Sequence, residues 1–144
     1  MSKETGIFAI EKGFIKKETL EEVLKVCKLH FAKIDHYTKK LRLEPDKIGQ
    51  LENIMVRLAG EQGFLEPILG LAITYKKNQE LHYYVERKIT IENEGKKFSS
   101  APNERESSEH VAEYRRVRNI LQAYVDVCKA GISAIQTRLK TVRE

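Results

Sequence analysis

Aromatic rings sit beside basic residues at five places along the chain. Tyr37 lies next to Lys39, Lys40 and Arg42, and Tyr75 precedes Lys76 and Lys77. Tyr83 and Tyr84 are followed by Arg87 and Lys88, Phe98 follows Lys96 and Lys97, and Tyr114 precedes Arg115, Arg116 and Arg118. Cations that neutralise phosphates, with aromatic faces on which bases stack, hold single-stranded nucleic acid without regard to sequence. Each stacked base contributes about 1–3 kcal/mol, so a few rings suffice if they line one groove. The candidate nucleic-acid contacts are Lys39, Lys40, Tyr75, Lys76, Lys77, Tyr83, Tyr84, Arg87, Lys88, Lys96, Lys97, Arg115 and Arg116. A plainer reading competes with this one: tyrosines often edge a helical core with the hydroxyl left wet, and lysines beside them solvate the outer face. No helix-turn-helix or zinc finger is recognisable, so the expected binding is sequence-tolerant.

Other chemistry is hard to find. His30, His36, His82 and His110 have no metal-ligand spacing with cysteine, and no His-Glu-x-x-His motif occurs. The glycines form no phosphate loop and no nucleophile elbow. Glu21 and Glu22 sit among lysines, where helical pairing accounts for them. Cys27 and Cys128 fall within apolar stripes, which suits buried, inert thiols. The expectation is a protein without catalytic residues, metal or cofactor.

The elements that must carry the clusters read as helices. Thr19-Leu20-Glu21-Glu22 has the form of a capping box, and Leu20, Val23, Leu24, Cys27, Phe31 and Ile34 then recur at helical steps. Pro45 suits the first turn of a second helix, with Ile48, Leu51, Met55 and Leu58 on its buried face. Gly60, Gly63, Pro67 and Gly70 predict a break, with a third helix beginning near 64–67. That helix carries Ile68, Leu71, Ala72, Tyr75, His82, Val85 and Ile89 on one face. Alternation over 83–91 leaves a short strand as a competitor for 83–98. A polar loop is expected over 93–106.

The last element has the clearest signal. Val111, Tyr114, Leu121, Val125, Cys128, Ile132, Ile135, Leu139 and Val142 form a seam with three- and four-residue steps, broken only by Arg118 and touched by Gly131. A helix over 107–142 is about 54 Å long, against about 38 Å for the diameter of a round globule of this size. It must project, pair with an equally long helix from 64–94, or pack against another subunit. The seam residues are thus candidates for self-association. The fold expected is all-α: an elongated helical hairpin or bundle of about four helices with a long C-terminal oligomerising helix.

Composition agrees with one helical domain over 1–144, residues 1–17 forming a flexible lead. The chain has 144 residues with 41% hydrophobic and 33% charged side chains, too apolar for disorder and with no run that spans a membrane. Its net charge of +5 permits a polyanion partner, and its basic residues concentrate towards both ends. Two distant cysteines and the lack of an N-terminal apolar block point to a reducing cytoplasm, that of the host if the chain is phage-encoded.

The segment Leu121-Gln122-Ala123-Tyr124-Val125-Asp126-Val127-Cys128-Lys129-Ala130-Gly131-Ile132-Ser133-Ala134-Ile135-Gln136-Thr137-Arg138 resembles the closing helix of the UvsY-like recombination mediators of tailed phages. The likeness lies in an apolar-Asp-apolar-Cys step, a small-residue step, and an apolar-Ala-Ile run ending in Arg. Tyr83-Tyr84 before a polar loop is similar in layout. The resemblance implies a small, helical, ring-forming protein that binds single-stranded DNA and helps a recombinase displace single-strand-binding protein. It implies no ATP use, and no DNA-contacting residue is carried over by position. The function expected is a non-enzymatic single-stranded DNA-binding accessory of recombination or replication, self-associating, with a recombinase or other protein as a further partner. The alternative is a helical adaptor or inhibitor, such as a counter-defence factor, acting through protein contact.

Overall fold

The computed structural model describes residues 7–43 and 45–143, with the side chains of residues 7, 8 and 143 left aside. Among the described residues five helices follow one another: α1 (Ile7–Ile15), α2 (Leu20–Arg42), α3 (Ile48–Asn93), α4 (Ser100–His110) and α5 (Ala112–Arg143), with a 3-10 turn at Lys17–Thr19 between the first two. No strand occurs among the described residues, and no helix is long and apolar enough to cross a membrane. The all-α expectation holds.

The 46-residue α3 is the spine. At 1.5 Å per residue it is about 69 Å long, so the molecule is elongated. α5 runs back along it, and α2 packs against both, closing a three-helix bundle around the first half of α3. Leu51, Leu58, Leu65 and Ile68 of α3 meet Val117, Leu121, Cys128 and Ile135 of α5 and Val23, Cys27 and Ile34 of α2 in one buried core. α1 docks on α2 and α3 through Ile10 and Phe14. Beyond Ala72, α3 buries no residue completely, and its distal third forms a two-helix arm with α4.

Several expectations fail for identifiable reasons. Gly60 to Gly70 does not break the helix. Pro67 removes one backbone bond, to the carbonyl of Gly63, but both residues face solvent, where water can take that carbonyl. Leu65, Ile68 and Leu69 on the opposite side hold the helix to the bundle. Pro45 lies ahead of α3, not in its first turn; its carbonyl accepts from Arg138 at 3.0 Å. The loop expected over 93–106 shrinks to 94–99, and Ser100–His110 is helical. Pro102 falls in the first turn of α4, where it costs no hydrogen bond. Asn103 and Ser107 turn inward and donate to the carbonyls of Ser99 and Asn103, at 2.6 and 2.7 Å, so their polar atoms are satisfied within the helix.

Nor does Thr19 form a capping box. Its hydroxyl points back, 2.8 Å from the Gly13 carbonyl and 2.9 Å from that of Lys16, tying α1 to the start of α2. Residues 7–15 are a docked helix, so most of the flexible lead expected over 1–17 is structured; residues 1–6 lie outside the described residues. The region 83–93 is helical, which decides against the strand. Its outward face differs from expectation too, since His82, Val85 and Ile89 are exposed.

The seam of α5 is real but spent internally. Val111, Tyr114, Leu121, Val125, Cys128, Ile135 and Leu139 are all buried within this single chain, Ile132 is half-buried, and Val142 alone is exposed. α3 proved long enough to cover the rod, which removes the reason for assigning the seam to a second copy. Gly131, which interrupts the pattern, has a packing purpose: a Cβ there would stand 2.8 Å from Leu58 Cδ1. The glycines of α3 have no such purpose. A Cβ at Gly60, Gly63 or Gly70 would meet nothing within 4 Å, yet each costs the helix about 1 kcal/mol relative to alanine.

Candidate nucleic-acid interface

The arm ends in a turn whose geometry comes from one glycine. Gly95 has φ 72°, the left-handed region, just past the end of α3. Its N–H bonds the Glu92 carbonyl at 3.0 Å and the Lys96 N–H bonds the Ile91 carbonyl at 3.1 Å, the Schellman pattern that satisfies terminal carbonyls. The chain then reverses, and Lys96, Lys97 and Phe98 are delivered to the tip beside the last turns of α3. Tyr84 meets Phe98 edge-on, with ring centroids 5.4 Å apart and planes at 88°. Lys88 Nζ lies 5.7 Å from the Phe98 centroid, a cation–π distance. Lys96 is 3.5 Å from Glu94, and both lysines of the loop are exposed. Lower on the arm, Lys77 and Tyr84 line a shallow depression between α3 and α4 with Leu81, Glu80 and Glu104.

Gly95→Val would force a β-branched residue into the left-handed region, at a cost of about 1–2 kcal/mol. We expect faster amide exchange confined to residues 95–98, with little loss of bundle protection. Unchanged exchange there would mean that other contacts position the tip.

The remaining candidates are dispersed, and most are engaged inside the molecule. The Tyr75 ring stacks on Phe14 at 5.8 Å and its hydroxyl donates to Glu11 at 3.0 Å, so it holds α1. Burial first, then that hydrogen bond, raises its pKa. Lys76 pairs with Glu80 at 3.3 Å. Tyr83 stacks on His110 at 4.1 Å and donates to Glu106 at 2.9 Å, which raises its pKa; Arg87 reaches the same carboxylate at 3.5 Å. Arg115 donates to the Ser108 carbonyl at 2.6 Å. The break at Val111 leaves that carbonyl without its usual helical partner, so Arg115 mends the joint between α4 and α5. Arg116 bridges Glu113 on its own helix and Glu21 on α2. Lys39 and Lys40 lie at the far end of the molecule, where Lys40 lines a depression with Gln50 and Asn53 of α3, about 60–65 Å along the helix from the tip.

Of these candidates, Tyr84 and Lys88 meet at Phe98, Lys96 and Lys97 precede that ring in the loop, and Lys77 shares a depression with Tyr84. Phe98 completes the group; Lys96-Lys97-Phe98 stood out in sequence, but its pairing with Tyr84 needed the hairpin. A second depression, lined by Glu21, Lys25, Lys28, Phe31, Ile120 and Tyr124 among others, lies between α2 and α5 and is invisible in sequence because its halves are about 95 residues apart.

No protein-family profile, curated protein or solved structure matches the chain. Among the described residues, no three His, Cys, Asp or Glu side chains come together as metal ligands. His30 illustrates why: it stacks on Phe64 at 3.8 Å and shares a 2.6 Å hydrogen bond with Glu61, a structural arrangement between α2 and α3.

Proposed function

We propose that the protein is a non-enzymatic binder of single-stranded nucleic acid that makes its contact with the tip of the α3–α4 arm. One observation carries this reading: at the end of a projecting hairpin Lys88 stands over the Phe98 ring, Tyr84 meets that ring edge-on, and the exposed Lys96 and Lys97 precede Phe98 in the same loop. Rings give bases a stacking surface, and the lysines neutralise adjoining phosphates. The site is small and the arm also carries glutamates, so a single copy binds weakly and without sequence preference. The resemblance of α5 to the recombination mediators suggests a role as an accessory in recombination or replication. The adaptor alternative draws on the exposed Leu81, Val85 and Ile89 of the same arm.

The test is binding of a fluorescent oligothymidylate as a function of salt. Three neutralised phosphates give a log–log slope of about −2. Lys88→Ala, Lys96→Ala and Lys97→Ala together flatten it, while Lys39→Ala and Lys40→Ala leave it unchanged. A wild-type slope near zero sinks the proposal.

A further inference from the structure

We infer that the outward face of α3 is the interface of an antiparallel dimer, its occupant being α3 of a second copy of this chain. The face opposite the core runs through Val56, Gly60, Gly63, Pro67, Gly70 and Thr74, then Leu81 and Val85, all exposed. At 100° per residue these positions lie within about 40° of one line. None of the eight carries a charge, and the charged residues in line with them over 49–89, Glu52 and Lys88, stand at one edge of the face in line with Gly70. Val56 and Leu81 are 66% and 63% exposed, so the stripe contains large apolar side chains as well as small ones.

The arrangement is self-complementary about a two-fold axis near residues 69 and 70. Antiparallel pairing there sets Val56 of each copy between Leu81 and Val85 of the other. The glycines and Pro67 fall in the middle, where they let the two backbones approach closely. The same register sets Glu92 opposite Lys47 at the start of the partner helix, where the positive end of the helix dipole adds to the attraction. Parallel pairing would instead set Glu92 on Glu92.

Residues 49–89 span about 60 Å, and a face about 10 Å wide gives on the order of 1,200 Å² for the pair, within the range of specific interfaces. The glycines then have a reason that nothing inside one chain supplies. The inference does not rest on nucleic-acid binding, although Lys88 of the tip lies at the edge of the pairing face.

Light scattering and sedimentation over a concentration series test it, with circular dichroism to follow the fold. We expect a concentration-dependent dimer. Gly63→Glu with Gly70→Glu should convert it to monomer while leaving helix content and melting of the monomer intact, because both positions face open space and gain helix propensity. Glu92→Lys alone and Lys47→Glu alone should each weaken the dimer by ~3–10-fold, and the double exchange should restore it. A monomer at every concentration overturns the inference. So does an assembly, ring or dimer, that survives the double glutamate variant, as this would place the contact elsewhere.

Discussion

Leu121→Asp is expected to unfold the protein rather than to dissociate it. Leu121 is fully buried between α5, α3 and α2, with no cation placed to receive a carboxylate among the core residues around it. The substitution deletes apolar contacts worth about 2–5 kcal/mol and adds an uncompensated polar group in their place, so a loss above about 4 kcal/mol is expected. That is a large part of the stability of any domain of this size. Ile132→Asp should cost much less, because Ile132 is only half-buried, and Val142→Asp should cost almost nothing. Thermal melts followed by circular dichroism give the ordering. If Leu121→Asp stays helical and merely sediments as a smaller particle, the seam of α5 faces another subunit and the single-chain bundle described here is wrong.

The same seam shows what the sequence could and could not carry. Its three- and four-residue steps established a long helix and named seven residues that are buried, and the length arithmetic left it to project, to pair with an equally long helix, or to pack against another subunit. Periodicity says that a face is covered, not by what. The choice between the chain's own α3 and a second copy depended on the continuity of α3, and that depended on Gly63 and Pro67 facing water. Local signals counted these two as breakers, yet their cost falls on the solvent side while Leu65, Ile68 and Leu69 hold the other.

The loop after α3 was misjudged for a related reason. Ser, Asn and Pro over 99–108 read as polar and irregular, but Pro102 fits a first turn and Asn103 and Ser107 satisfy themselves against their own helix. Among the binding candidates, adjacency in sequence was a poor guide. Tyr83 and Tyr84 are neighbours that point to different sides of the arm, one towards Glu106 and His110, the other towards Phe98. Arg115 and Arg116 stand together in sequence, yet one mends a helix joint and the other bridges α5 to α2. Lys88, Lys96 and Lys97 emerge as a group only once the Gly95 turn brings them together.

Alkaline pH is expected to destabilise the fold steeply, and the raised pKa values of two thiols and four tyrosines agree on the sign. Burial pushes the thiols of Cys27 and Cys128 from about 9 up to about 11, with the Glu61 carboxylate adding to the effect at Cys128. Tyr75, Tyr114 and Tyr124 are raised chiefly by burial, and Tyr83 chiefly by its hydrogen bond to Glu106. In every case the folded chain keeps a proton that the unfolded chain releases at lower pH. The unfolded state then binds fewer protons, so the free energy of unfolding falls as pH rises. This contribution is fully present below about pH 9, where the unfolded thiols begin to titrate, and is lost as pH climbs through about 11. Two units correspond to about 2–3 kcal/mol for each thiol, before any part played by the tyrosines. Melting temperatures should hold steady between pH 7 and 8.5 and fall sharply from 9.5 to 11. Replacing Cys27 and Cys128 with alanine costs stability at every pH but should flatten that fall. A wild-type profile level to pH 10.5 would mean that the thiols are not enclosed by α2, α3 and α5 as they are here.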